Sequence, residues 1–251
     1  MYKLLFLILL LSGCTTFQMP DNFRYRTIEV QGFDISVWEK QAYPQNIYHI
    51  YIEGDGHAFN AHGQPTSDPT PKSSLMRKLA TQDKNTNVIY LARPCQFTKG
   101  SQCTQKYWTT ARFSPEVVDA EYQVIKELIG NKPIVLIGYS GGAQIAGLLV
   151  VTKDLNVQKV ITIAGNLNHK AWTDYHHLPE LTESLNLADH KDKFSQLPQI
   201  HYVGEKDKII PPVLAKEFVL DKSTIHVVPN ATHSDGWNGI DLRQSRHIRR
   251  D

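Results

Sequence analysis

The 251-residue chain has no excess of either charge: 27 Lys and Arg stand against 25 Asp and Glu, a formal net charge of +2. That excludes the strongly basic footprint of a protein whose main partner is a nucleic acid, and no polyanion is implied. Long hydrophobic runs are missing too. The apolar stretch at the start, Leu4 to Leu11, falls well short of the roughly 20 residues needed to span a bilayer. Cysteine is scarce, at three residues. Asp55, His57 and His62 fit none of the zinc spacings such as HExxH or paired CxxC, so no metal is expected. Internal repeats and low-complexity tracts are absent. What remains is a chain with 41% hydrophobic and 21% charged residues, enough for a sizeable core in one large domain or two small ones.

Hydrophobic period and turn residues give the order of elements. Tyr25 to Val30 and Asp34 to Glu39 alternate around Gly32, as a hairpin at a sheet edge does. Apolar runs follow at Ile47 to Ile52, Asn87 to Leu91, Pro133 to Ile137, Val157 to Ile163, Gln199 to Val203 and Thr224 to Val228. Helical patterns separate them: Leu75 to Ala80, Ser114-Pro115 to Ile129 with Gly130 as the stop, Gly141 to Val151, and Pro212 to Leu220. Strands alternating with helices predict an α/β fold, a mostly parallel sheet with helices on both faces. Residues 54–74 and 93–113 read as long functional loops. The longest excursion, 165–198, reads as a small helical cap over the strand ends.

The sharpest local signal is Gly138-Tyr139-Ser140-Gly141-Gly142, set between the strand PIVLI and a helix rich in Ala, Gly and Leu. A serine at such a turn projects its hydroxyl above the sheet edge, and the N–H of Gly141 at the helix N-terminus favours a developing oxyanion. Serine needs a base and a group to orient that base. Asp207 follows the strand IHYVG and His233 follows TIHVV, so both belong at the carboxyl ends of strands, where open α/β sheets place their sites. Glu205 and Asp235 compete with Asp207. Glu205 lies too close to its strand end, however, and Asp235 comes after the histidine. His176 and His177, beside Asp174, read as a solvated face of the cap.

The order Ser140, Asp207, His233 resembles that of the α/β-hydrolases, and the similarity extends over roughly residues 25–240. The segments Arg93 to Gln96, Tyr107 to Thr109 and Arg112 to Val118 further resemble a group of bacterial lipoprotein hydrolases. The superfamily resemblance implies a second oxyanion donor in the loop after the third strand, where many members carry His-Gly-Gly. This chain has Glu53-Gly54-Asp55-Gly56-His57 instead. The N–H of Asp55 or of Gly56 is then expected to act with that of Gly141. The acids Glu53 and Asp55 either cap this loop or attract a cationic substrate group. The expected activity is a serine hydrolase acting on a carboxylic ester or related acyl bond, with no cofactor and a small acyl substrate as partner. Two alternatives stand beside it: a peptidase whose acidic pocket grips a peptide amino terminus, and a non-catalytic envelope binding protein.

The start of the chain sets the expected location. Residues 1–13 read as a signal peptide, and Leu11-Ser12-Gly13-Cys14 resembles the lipobox of bacterial lipoproteins. That resemblance implies lipidation at Cys14 and a tether over 14–24 before a hydrolase domain at 25–251. It also implies a membrane anchor in the cell envelope, with Thr15 pointing to the outer membrane and the domain facing the periplasm. Acyl chains anchor a protein without any spanning helix. Cys95 and Cys103 are then left as an even pair in an oxidising compartment, close enough to form a disulfide; the alternative is two separate buried thiols. Arg243, Arg246, Arg249 and Arg250 form a basic tail that reads as a solvated helix face.

Overall fold

A computed structural model describes residues 17–242. The signal peptide, Cys14 and the four tail arginines lie outside the described residues. The elements come in the order β1 (Arg24–Val30), β2 (Phe33–Gln41), β3 (Tyr48–Ile52), α1 (Leu75–Gln82), β4 (Asn87–Leu91), α2 (Pro115–Ile129), β5 (Ile134–Tyr139), α3 (Gly141–Thr152), β6 (Val157–Ile163), α4 (His169–His176), α5 (Lys191–Ser195), β7 (Gln199–Gly204), α6 (Pro212–Phe218) and β8 (Ile225–Val228). The eight strands form one sheet in the order β1-β2-β4-β3-β5-β6-β7-β8. The β1–β2 and β2–β4 pairs are antiparallel, and every pair from β4 to β8 is parallel.

Burial follows strand position. β5 is buried along its whole length on both faces, as a central strand under two helical layers must be. β8 is only half-buried at the far edge. α2 starts with Pro115 at its first turn and ends where Gly130 adopts φ +65°, a conformation that disfavours any β-carbon. Its inward stripe holds Val117, Val118, Val124 and Ile125, and it also holds one acid, Glu121, which is fully buried.

The long loops do different things. Cys95 and Cys103 are joined by a disulfide, which closes a small ring within the 93–113 loop. The excursion at 165–198 is a cap only in its first part. α4 lies over the strand ends, with Trp172 Nε1 donating to the carbonyl of Ile209 at 2.7 Å. From Leu185 onward the chain instead packs beside α3: Leu187 occupies the space that a side chain on Gly147 would fill, and Lys193 Nζ donates to the carbonyl of Val151 at 2.5 Å. The apolar residues Leu187 and Phe194 draw this part into the core, which outweighs the polar composition that made it read as a lid.

One buried group ties fold stability to pH. His201 on β7 is fully buried; Thr162 Oγ1 donates to its Nδ1 at 2.8 Å and its Nε2 donates to Gln199 Oε1 at 3.0 Å, so the neutral ring is satisfied at both nitrogens. Burial pushes its pKa down to about 3. The unfolded chain therefore binds this proton more tightly than the folded one. The associated stability is present above the ordinary histidine value of 6.5 and is lost as pH falls from there towards 3. The loss is on the order of 5 kcal/mol across that window. Urea unfolding at successive pH values should show a falling midpoint on the acid side, and His201→Gln should flatten that slope.

Candidate active site

β5 ends at Tyr139 and α3 begins at Gly141, so the chain reverses at Ser140 alone. Ser140 does this at φ +51° and ψ −122°, in a region that a side chain disfavours. Its N–H donates to Ile163 O at 3.1 Å and its carbonyl accepts from Asn166 N–H at 3.0 Å, which fixes the turn between β6 and the following loop. Space for the turn comes from Gly142, where a β-carbon would fall 2.4 Å from the carbonyl oxygen of Ile52.

The three residues expected to work together are brought together. Ser140 Oγ lies 3.1 Å from His233 Nε2, and His233 Nδ1 lies 2.9 Å from Asp207 Oδ2. A carboxylate only accepts, so Nδ1 carries the proton and Nε2 is left to accept from the serine hydroxyl. Asp207 is buried, and its other oxygen accepts from the N–H groups of Ile209 and Ile210 at 2.8 and 2.9 Å. The carbonyl of His233 accepts from Tyr139 Oη at 3.0 Å and from Trp237 Nε1 at 3.2 Å. Burial holds the Tyr139 hydroxyl well above the usual phenol range, so it stays a donor. The competitors lie elsewhere. Glu205 accepts from the N–H of Asn230, and Asp235 is exposed.

The loop after β3 settles what its two acids do. Glu53 is buried, accepting from Tyr90 Oη at 2.7 Å and from the Gly54 N–H at 2.8 Å. That N–H is therefore not free for a ligand. Asp55 packs its carboxylate onto Gly141: a β-carbon there would lie 2.0 Å from Asp55 Oδ1. Two arginines grip the same carboxylate, Arg93 Nη1 at 3.4 Å and Arg112 Nη1 at 3.0 Å. Neither acid is free to hold a cationic substrate group, which removes the feature behind the peptidase alternative. The N–H groups of Asp55 and Gly56 have no protein acceptor among the described residues. Gly56 adopts φ +65°, and a side chain there would run into the carbonyl of Pro69.

These groups open onto a cavity of about 400 Å³ lined by Ser140, His233, Phe59, Lys72, Arg112 and Trp172, among others. His57 lines it as well, whereas His62 is exposed on its loop. His176 does not line the cavity itself; its Nε2 donates at 2.9 Å to the carbonyl of Ile209, which does, and His177 closes α4 at φ +54°. Arg93, Arg112 and Trp172 are the residues to which sequence reasoning gave no role in the site. The one available signal was Glu121, an acid on an apolar helix stripe, which demands a buried cation. Arg93 supplies it, with Nε 2.8 Å from Glu121 Oε1.

The contact between Asp55 and Gly141 can be tested. Gly141→Ala should lower stability by about 1–3 kcal/mol through overpacking. In an Asp55→Ala background, where the carboxylate is gone, that penalty should shrink. A double-mutant cycle by urea denaturation that gave additive effects would contradict the contact.

No family model and no curated protein matches the sequence. Solved structures do match. A lipase candidate from Acinetobacter baumannii AYE aligns with TM-score 0.60 at 15% identity, covering 85% of each chain. An α/β serine hydrolase without a lid from Xanthomonas campestris aligns with TM-score 0.52 at 13% identity, over 85% of this chain and 87% of that one. An α/β serine hydrolase homologue from Coxiella burnetii gives TM-score 0.53 at 16% identity, over 87% and 92%. Together with the strand order and the turn at Ser140, these likenesses show that the chain has the α/β-hydrolase fold.

Proposed function

We propose that the protein is a serine hydrolase that cleaves a carboxylic ester or related acyl bond. The observation that carries this reading is the hydrogen-bonded chain Ser140–His233–Asp207 at the wall of a cavity. In the first half-reaction Ser140 Oγ bonds to the acyl carbon while its proton passes to His233 Nε2. Asp207 keeps the ring in the tautomer that can accept that proton and stabilises the imidazolium. The N–H of Gly141, with that of Asp55 or of Gly56, holds the oxyanion. His233 then gives the proton to the leaving alcohol as the ester bond breaks, and water repeats the sequence to release the acid. The scheme uses no cofactor.

A fluorophosphonate probe should label the protein and fail to label Ser140→Ala. That variant should fold normally and hydrolyse chromogenic esters roughly a thousandfold more slowly or worse. Half-maximal activity in Ser140→Ala, or no labelling of the parent, would refute the reading and favour a non-catalytic binding protein. kcat/KM should rise with pH through one ionisation, because only the neutral imidazole accepts the serine proton.

We also propose that the protein is lipid-anchored through Cys14 in the cell envelope, at the outer membrane and facing the periplasm. The run Leu11-Ser12-Gly13-Cys14 supports this, and the Cys95–Cys103 disulfide is compatible with an oxidising compartment. Mass spectrometry of membrane-extracted protein should find an acylated Cys14 at the amino terminus, and Cys14→Ser should abolish it.

A further inference from the structure

The cavity beside Ser140 is lined by two acids, Glu53 and Asp55, and both are occupied within the protein. Its cations are not balanced in the same way. Arg112 is 5% exposed. Its Nη1 donates to Asp55, its Nε is buried with no acceptor, and its Nη2 makes no hydrogen bond to any described residue. Nη2 is not among the buried unpartnered atoms, so it is left to the solvent side, where an acceptor arriving in the cavity can meet it. The ring faces of Phe59, Phe113 and Trp172 lie 5.5, 5.7 and 5.6 Å from its central carbon, so the fork is held in place before any ligand binds. Lys72 stands exposed at the rim of the same cavity with no ion-pair partner among the described residues.

We propose that this cavity is built for an ester that carries an anionic oxygen group, a carboxylate or a phosphate, with Arg112 as the seat of the anion and Lys72 as its flanking charge. A planar oxyanion matches the guanidinium fork, and the aromatic rings around it exclude water that would weaken the pairing. Asp55 shares its charge between Arg93 and Arg112 and so leaves Arg112 only partly neutralised. Phe59, Trp172, Ile209 and Ile210 complete a wall that suits a short hydrocarbon linker between the anion and the scissile carbonyl.

The kinetic part of the inference rests on the hydrolase reading above; the binding part does not. In kinetics, p-nitrophenyl hemisuccinate and hemiglutarate should exceed p-nitrophenyl butyrate in kcat/KM by at least tenfold at low salt, with the ratio shrinking as ionic strength rises. Monoacylglycerol 3-phosphate against monoacylglycerol tests the phosphate source in the same way, and the larger ratio identifies the anion. Lys72→Glu, at an exposed site, should reduce either ratio toward one. Arg112→Lys, which keeps the charge but loses the fork, should reduce it further. Calorimetric titration of the Ser140→Ala protein with monomethyl succinate and with glycerol 3-phosphate should show saturable binding of at least one, weakened by Lys72→Glu. Equal rates on charged and neutral esters together with no binding would overturn the anion site and leave the hydrolase reading intact. Binding without any hydrolysis or probe labelling would overturn the hydrolase reading and support the anion site.

Discussion

The site depends on one close approach, that of the backbone at the start of α3 to the end of β3. Gly142 sits so near the carbonyls of Ile52 and Glu53 that any side chain there would overlap both. This approach lets α3 begin directly above the sheet edge and forces the reversal onto Ser140, at φ +51°. A residue so placed is held by its surroundings rather than by its own preference. Here those surroundings are rigid: β5 is wholly buried and α3 nearly so. The same approach carries the loop at 53–57 past the serine. A β-carbon on Gly54 would lie 3.1 Å from that of Ser140. The loop that carries the unbonded N–H groups of Asp55 and Gly56 is thereby packed against the turn at Ser140, and a single packing constraint accounts for the arrangement.

A second feature links distant parts of the chain to that turn. Glu121 on α2, Arg93 after β4, Asp55 after β3 and Arg112 before α2 form one run of alternating charge. Arg93 also donates to the carbonyl of Arg112, and Gln96 bridges the Arg93 N–H and the Gly54 carbonyl at 3.2 and 2.9 Å. Buried ion pairs add little net stability, because desolvation offsets most of the attraction, but removing one partner leaves a charge stranded. Their effect here is positional: the loop at 93–113 and the loop at 53–57 cannot move independently. The disulfide from Cys95 to Cys103 restricts the first of these loops further. In the chain-entropy account a ring of that size contributes about 2–3 kcal/mol.

Much of this was legible in the sequence, for physical reasons that differ by element. β5 and β4 are continuous apolar runs because both faces are covered, and their bounds follow from composition. β2 extends past its alternating pattern to Gln41 because Lys40 and Gln41 pair with Val88 and Asn87 of β4, and a partner strand leaves no trace in the residues it lengthens. That Ser140, Asp207 and His233 meet could be expected because each follows a readable strand at its carboxyl end. The second half of the excursion at 165–198 packs beside α3, where its sequence reads as cap. Its contacts to α3 run through a few apolar residues, Leu187 and Phe194, spaced too sparsely to form a period.

Arg112 shows where such reading stops. A lone arginine in a loop has no periodicity, and its meaning comes entirely from what surrounds it in space: three aromatic rings and one shared carboxylate. The indirect trace is Glu121, in register with Val117, Val118, Val124 and Ile125 on the inward stripe of α2. Burial pushes its carboxyl up to about 7 even beside Arg93. The rise comes from burial, which the charge of Arg93 only partly offsets, and Arg93 in turn spans from Glu121 to Asp55, so the carboxylate that Arg112 shares is held from the helix side as well as from the loop.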